Sequence, residues 1–221
     1  FLGRSYHFES LLHPNPPMKK QISIIPVLLL WLAIGTSLLS QVGCNAERPA
    51  ADKDSTATDT TARISLLFAG DLMQHITQIN AARTAGDTYD YTDCFALVRP
   101  LIEEADIAIG NFEVTLGGKP YRGYPCFSAP DEYVLAIRDA GFDVLLTANN
   151  HCLDSGRKGL ERTIRMLDSL RIPHCGTYAT PEARQKEYPL LIEKKGFRLA
   201  LLNYTYGTNG LVVKAPNVVN Y

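Results

Sequence analysis

Three apolar segments of this chain lead directly into side chains that can bind metal ions or transfer protons. Residues 64–69 are followed by Asp71 and, four residues beyond it, by His75. A second apolar run, residues 106–112, leads to the carboxylate of Glu113. Carboxylates and imidazoles suit borderline divalent cations, and a two-metal site is assembled from several such segments. Taken singly, each pattern is also typical of an ordinary turn or a solvated histidine.

The third segment joins a strand-like run to two amides, an imidazole and a carboxylate. Residues 142–147 lead into Asn149, Asn150 and His151, and Asp154 follows three residues later. Open α/β sheets place their ligands at the carboxyl ends of strands, where the connecting loops diverge. A turn with a helix N-cap would use the same residue types. Three polar strand ends in one chain nevertheless favour a common site.

Hydrophobic periodicity predicts the elements that must position these side chains. Strands are predicted at residues 63–69, 107–111, 143–147 and 198–204, with short segments at 172–176 and 188–192. Helical spacing occurs at residues 95–105, 130–140 and 159–170, and a helix or loop carries residues 75–82. Alternating strands and helices predict a layered and predominantly parallel α/β sheet.

The order of the polar motifs resembles that of the CapA-type bacterial capsule (poly-gamma-glutamate) synthesis proteins, members of the calcineurin-like metallophosphatase superfamily. The motifs are Gly-Asp-Leu-Met-Gln-His at 70–75, Gly-Asn-Phe-Glu at 110–113 and Asn-Asn-His-Cys-Leu-Asp-Ser-Gly at 149–156. The last is the most specific, and the resemblance covers residues 63–221. It implies a layered α/β/β/α metallophosphatase-like sandwich, here only its N-terminal part, with a dinuclear metal site.

The resemblance also implies a set of metal ligands. Asp71 and His75 would belong to the first metal-binding strand end, Glu113 would take the place of a bridging carboxylate, and Asn150 would bind the second ion. The expected cofactors are two divalent ions, with Mn, Fe or Zn favoured. His151 would face the substrate.

His151 and Asp154 are the candidate catalytic residues. His151 would act beside the electrophile as an acid or as a stabiliser of developing negative charge. Asp154 could orient the imidazole and raise its basicity, or it could cap the helix that follows. Cys152 could be a nucleophile, but its position favours the role of a small buried apolar residue.

The two ends of the chain lead to further expectations. Similar proteins carry additional histidines and an acidic residue in a C-terminal half, and no such stretch follows His174. We therefore expect residues 63–221 to be a truncated domain with an incomplete metal site. Residues 1–17, which precede Met18, are expected to be upstream sequence translated by accident.

Residues 18–44 have the pattern of a secretory signal, with a charged start and an apolar run over residues 22–39. Small residues then lead to Cys44, which resembles the acylated cysteine of a bacterial lipoprotein. An ordinary cleaved signal and an uncleaved anchor are the alternatives. Residues 45–62 contain no large apolar side chain and predict a flexible linker. We expect an exported, membrane-anchored lipoprotein of the bacterial cell envelope.

Two functions remain open at this point. One is a metal-dependent hydrolase or transferase that acts on a phosphoester or on a glutamyl polymer. The other is a non-enzymatic envelope lipoprotein that binds or tethers an anionic polymer during export. The expected partners are therefore an anionic polymer or the capsule export machinery, with the membrane contacted through the lipid anchor.

Charge and cysteine content exclude one class of partner and argue against one kind of metal site. The formal net charge is −1, and no cluster of lysine and arginine provides an electrostatic footprint for nucleic acid, which is excluded as a partner. Of the five cysteines, four follow Cys44. They allow three disulfide pairings in an exported domain, and their spacing argues against a zinc site made of thiolates.

Overall fold

A computed structural model describes residues 62–221. The predictions for residues 1–17, for the signal at 18–44 with Cys44, and for nearly all of the linker lie outside the described residues. Among residues 62–221, no helix is both long and apolar enough to cross a membrane.

A parallel sheet of four strands forms the centre of the described residues. In chain order its strands are β1 (Leu66–Leu72), β2 (Ile107–Phe112), β3 (Val144–Leu146) and β4 (His174–Cys175). They lie side by side in that order, and each adjacent pair is parallel. The predicted α/β class is confirmed. Because all four strands point the same way, their carboxyl ends share one edge of the sheet.

Helices alternate with these strands. They are α1 (Ile76–Ala82), α2 (Thr92–Phe95), α3 (Arg99–Glu104), α4 (Asp131–Asp139), α5 (Gly156–Ser169) and α6 (Pro181–Glu187). Helix α4 begins after Pro130 with Asp131 and Glu132 in its first turn, where carboxylates interact favourably with the helix dipole. Helix α5 buries Leu160 and Leu167 along one face, as its periodicity predicts.

The single helix predicted at residues 95–105 is wrong. The chain forms α2 and α3 with a turn at residues 96–98 between them. Pro100 lies in the first turn of α3, where its missing N–H has no helical acceptor to lose; inside a continuous helix it would remove a hydrogen bond. Leu97 and Leu101, assigned to the apolar face by their spacing, are 93% and 62% exposed.

Four short strands form two antiparallel pairs. Strand β5 (Thr177–Tyr178) pairs with β8 (Val218–Val219), and β6 (Leu190–Lys194) pairs with β7 (Phe197–Leu201). The β6–β7 hairpin packs its apolar side on Ile107, Ile109 and Val144 of the central sheet. Lys195 in its turn binds the carboxylate of Asp106 at 2.5 Å.

The two faces of the central sheet are covered differently. Ala108, Phe112 and Leu145 pack in a core cluster together with residues of α3, α4 and α5. Ile107 and Ile109 point to the opposite face, because successive side chains of a strand alternate, and meet the β6–β7 hairpin there. The described residues thus stack as helices, sheet and hairpin, in the layer order of the predicted sandwich.

Candidate metal and acid-base site

Two carboxylates meet at the carboxyl ends of β1 and β2. Asp71 lies near the end of β1 and Glu113 follows β2 directly, and the two strands remain paired as far as Leu72 and Phe112. The side-chain amide of Asn111 donates to both acids, at 3.0 Å from Asp71 Oδ1 and 2.7 Å from Glu113 Oε2. One neutral amide therefore bridges two carboxylates.

The negative charge of this pair is not balanced within the described part of the chain. None of the ion pairs among residues 62–221 includes Asp71 or Glu113. Burial raises the pKa of the Glu113 carboxyl, and the adjacent carboxylate of Asp71 raises it further, against smaller opposing effects of His151 and Asn111. A divalent cation would relieve this repulsion.

Asn149 fixes the orientation of the bridging amide. Its amide nitrogen donates to the carbonyl oxygen of Phe112 at 2.9 Å and to Asn111 Oδ1 at 3.3 Å. Since Asn111 Oδ1 is occupied in this way, its amide nitrogen is directed toward the acids. Asn149 Oδ1 in turn accepts from the backbone N–H of His151 at 3.1 Å, which ties the loop after β3 to β2.

His151 and Asp154 form a buried pair beside the carboxylates. The imidazole Nδ1 lies 2.7 Å from Asp154 Oδ2, and the side chains are 10% and 1% exposed. The same oxygen accepts from the backbone N–H of Phe127 at 2.6 Å. Because Ser155 is the N-cap residue of α5, Asp154 does not cap that helix. With Nδ1 held by Asp154, Nε2 is the nitrogen left for proton transfer.

Phe127 lies between the two candidate histidines. Its ring centroid is 4.6 Å from that of His151 and 5.4 Å from that of His75, with both pairs edge to face. The ring of Tyr124 stacks against His75 at 6.4 Å. The side chain of His75 therefore has aromatic neighbours, and no hydrogen bond joins it to Asp71 within residues 62–221.

Asn150 lies on the histidine side of the site. Its amide nitrogen is 3.4 Å from Asn209 Oδ1, and the amide nitrogen of Asn209 is 3.4 Å from His151 Nδ1. Over residues 62–221, no group of three or more histidine, cysteine, aspartate or glutamate side chains is arranged around a common metal position. The structure brings Asp71 and Glu113 together, whereas His75 and Asn150 do not contact them.

The family model for the bacterial capsule synthesis protein PGA_cap matches residues 65–219, which include every side chain of this site. The chain belongs to this family. The predicted resemblance to CapA-type capsule synthesis proteins is thereby confirmed.

The curated relatives that this chain matches are considerably longer. The chain is 28% identical over 151 residues to the capsule biosynthesis protein CapA of Bacillus anthracis, covering 65% of this chain and 35% of the relative. It is 25% identical over 155 residues to the PGA biosynthesis protein CapA of Bacillus subtilis, covering 64% and 37%. It is 30% identical over 159 residues to the protein y4sH of Sinorhizobium fredii, covering 67% and 32%. The chain thus spans about a third of the length of these relatives.

Cys152 contributes no nucleophile to the site. Burial raises the pKa of the Cys152 thiol to about 11, the opposite of what a nucleophilic thiolate needs. Its side chain packs with Leu153, Leu160 and Ile164 instead. The four cysteines of the described residues are all unpaired, so none of the three possible disulfide pairings forms among them.

Three residues that organise this site were not among the predicted site residues. Asn111 and Asn149 lie inside the motifs quoted above, next to the residues that were selected, so the motifs themselves carried the signal. Phe127 lies in the connection between β2 and α4, where no motif or periodicity marks it. Its role follows only from the contact of this connection with the β3–α5 loop.

Proposed function

We propose that this PGA_cap protein is a metal-dependent hydrolase or transferase of capsule biosynthesis, acting on a phosphoester or on a glutamyl polymer such as poly-gamma-glutamate. The observation that supports this proposal is the proximity of two unlike groups of side chains. A pair of carboxylates without an ion-pair partner, Asp71 and Glu113, lies beside the buried His151–Asp154 pair, and His151 is close enough to lower the pKa of Glu113 slightly against the larger effect of burial. The first group suits a cation and the second suits proton transfer.

Asp71 and Glu113 would hold the metal, with His75 and Asn150 as the further proposed ligands. These side chains have the donor atoms that Mn, Fe or Zn would need, because carboxylate, imidazole and amide oxygen together suit these ions. We propose that two such ions bind. Bound divalent cations lower the pKa of water and polarise a phosphoryl or carbonyl oxygen. In the protein itself, Asn111 holds the two carboxylates side by side for this purpose.

His151 would deliver or hold a proton at Nε2. Asp154 binds Nδ1 and thereby fixes the tautomer and the direction of the ring, which makes it a positioning residue. Phe127 restrains this arrangement twice, since its backbone N–H holds Asp154 and its ring packs on the imidazole. The leaving group of a substrate bound near the carboxylates would then lie close to a histidine that is already oriented to protonate it.

The test of this function is turnover that depends on both metal and His151. The full-length protein is purified, stripped with EDTA, reloaded with Mn²⁺ and assayed on a model phosphodiester and on poly-gamma-glutamate. We expect activity on one of these substrates only after reloading. Equal activity with and without metal would contradict the proposal.

A non-enzymatic polymer-binding protein is the second candidate. It is favoured by the absence, over residues 62–221, of a cluster of three or more acidic, histidine or cysteine ligands. Retention of poly-gamma-glutamate by the purified protein, with no turnover of either substrate, would select this candidate over the enzyme.

We also propose that the protein is exported and anchored by a lipid on Cys44, with an anionic polymer or the capsule export machinery as its partner. This rests on the sequence of residues 18–44. Growth with a fatty-acid probe is expected to label the wild type and to leave Cys44→Ser unlabelled. Equal labelling of both would contradict lipidation at Cys44.

A further inference from the structure

A small hairpin, residues 122–128, closes over one side of the candidate site. Arg122 and Ser128 exchange both of their backbone hydrogen bonds at 2.9 Å, and the tip between them carries Tyr124 and Phe127 against the histidines. At Gly123 a Cβ atom would lie 2.4 Å from the backbone nitrogen of Ile76. The hairpin backbone therefore rests directly on the first turn of α1.

A cleft of about 470 Å³ begins at the same turn of α1. Ile76, the residue after His75, lies in its lining. One wall comes from the segment after α1 and the other from the chain that leads into the 122–128 hairpin. The charged and aromatic side chains of its lining are Arg83, Asp87, Tyr89, Lys119 and Tyr121. The cleft thus begins at the residue next to His75.

The cleft carries more positive than negative charge. Arg83 and Lys119 both bind the carboxylate of Asp87, one through each oxygen, so two cations share a single anion. The half-buried rings of Tyr89 and Tyr121 meet edge to face at 5.3 Å and line the same cleft as these charges. Aromatic rings offer apolar contact to the aliphatic part of a ligand, and the neighbouring cations offer charge to its acidic part.

A third cation, Arg122, lies next to the loop that carries the His151–Asp154 pair. Arg122 is exposed and forms no ion pair with any residue that the structure describes. Its guanidinium is 3.3 Å from Ser155 Oγ, and Ser155 directly follows Asp154. Arg83 and Lys119 therefore share a cleft with Ile76, the neighbour of His75, and Arg122 contacts Ser155, the neighbour of Asp154.

We propose that the cleft and Arg122 form a binding subsite for an anionic polymer with regularly spaced carboxylates. A chain of such groups that extends from His75 to His151 would meet cations near both histidines. This inference rests on the proposed function for its class of substrate and adds the residues that would select it. Separated cations match a repeating acid, whereas the carboxylate pair of the candidate metal site would repel a polyanion when no metal is present.

The test measures binding of fluorescein-labelled poly-gamma-glutamate by fluorescence anisotropy, in excess EDTA so that no divalent cation contributes. The variant is Lys119→Gln/Arg122→Gln, which removes two charges from exposed side chains and keeps part of each aliphatic stem. Its matched control is Lys186→Gln/Arg198→Gln, which removes the same two kinds of charge from exposed positions on α6 and β7.

We expect the Lys119→Gln/Arg122→Gln protein to bind the polymer about tenfold more weakly than the wild type. The control should remain within about twofold, because its charges lie on other elements. Equal affinity of the two double variants, or no binding by the wild type, would overturn the subsite. Arg83→Gln, expected to weaken binding by about threefold, gives an independent result if circular dichroism shows the double variant to be unfolded.

Failure of the subsite and failure of the proposed function are distinguishable in the same assay. Asp71→Asn and Glu113→Gln should not weaken polymer binding in EDTA, since they touch only the metal site. Weaker polymer binding in these two variants, together with full binding by Lys119→Gln/Arg122→Gln, would place the polymer at the carboxylates and overturn the subsite. Metal-dependent turnover that survives in Lys119→Gln/Arg122→Gln with an unchanged KM for polymer would overturn the subsite alone.

Discussion

The His151–Asp154 half of the site and the Asp71–Glu113 half differ in how far the protein satisfies its own charges. Asp154 accepts two short hydrogen bonds, from the imidazole and from a backbone N–H, and is nearly inaccessible to solvent. Asp71 and Glu113 share a single neutral donor, and the pKa of Glu113 rises through burial and through its neighbour. One half is complete without a ligand, and the other is not.

This difference in hydrogen bonding suggests different roles for the two halves of the site. Buried polar groups that are fully hydrogen-bonded hold a rigid geometry, which is what a proton-transfer group requires. Like charges held together cost stability, which a bound cation would relieve. Under the proposed function, the fold itself positions the histidine half, and the proposed metal would complete the carboxylate half.

The largest expected effect concerns His151. His151→Gln should lower turnover by roughly 10² to 10⁴, the range for loss of a general acid or base, and should leave metal content unchanged. Steady-state kinetics and metal analysis of the same sample measure both quantities. His174→Gln is the matched control, since His174 also pairs with an aspartate, Asp168, but lies on β4. A loss of metal in His151→Gln would instead make His151 a ligand.

The next effect is on stability. Asp154→Ala leaves the buried N–H of Phe127 and the imidazole of His151 without their acceptor, which should lower the free energy of unfolding by about 3 kcal/mol. Asp168→Ala removes the partner of His174, but the Asp168 side chain is 65% exposed. This change should therefore lower the free energy of unfolding by only about 0–1 kcal/mol. Urea unfolding of both variants provides the comparison. If both variants lost a similar free energy of unfolding, the His151–Asp154 pair would stabilise the fold no more than the exposed His174–Asp168 pair does.

A smaller effect appears in the pH dependence of the metal-free protein. Because the pKa of Glu113 is raised on folding, the folded protein binds more protons than the unfolded chain above the unfolded value of about 4.3. In EDTA, stability should therefore fall as pH rises through the folded pKa, and Glu113→Gln should remove this fall. Thermal unfolding across pH measures it, and an unchanged slope in Glu113→Gln would contradict the assigned cause.

Asp106 provides the opposite case and the control for that experiment. The hydrogen bond from Lys195 lowers the pKa of the Asp106 carboxyl to about 2, with further bonds from Ser65. Its contribution to stability is present above the unfolded value of about 3.9 and is lost as pH falls toward 2. Asp106→Asn should thus flatten the acid limb and leave untouched the decline assigned to Glu113.

Sequence reasoning located the three strand ends because each is a local pattern. An apolar run followed by Asp71, Glu113 or Asn150 shows in the sequence itself, and parallel pairing brings such ends together without further information. The error at residues 95–105 had a local cause as well, since apolar spacing was given more weight than Pro100. Local signals therefore predicted the sheet and the strand ends at which the candidate site lies.

The internal organisation of the site depends on contacts between segments far apart in sequence. Asn149 reaches the carbonyl of Phe112, 37 residues away, only because β2 and β3 pair in one particular register. Phe127 bonds to Asp154 across 27 residues from a connection with no regular period. Neither hydrogen bond follows from composition or spacing. The three-dimensional structure was needed to identify the donor and acceptor atoms of each.

Calorimetric titration of EDTA-stripped protein with Mn²⁺ measures most directly whether Asp71 and Glu113 form a metal site. We compare wild type, Asp71→Asn and Glu113→Gln with Asp139→Asn, which makes the same change at an exposed carboxylate on α4. We predict Mn²⁺ binding by the wild type and by Asp139→Asn, and at least about a hundredfold weaker binding by the two site variants, because loss of an outer partner alone costs 10- to 100-fold. Equal affinity and stoichiometry in all four proteins would contradict a metal site at these carboxylates.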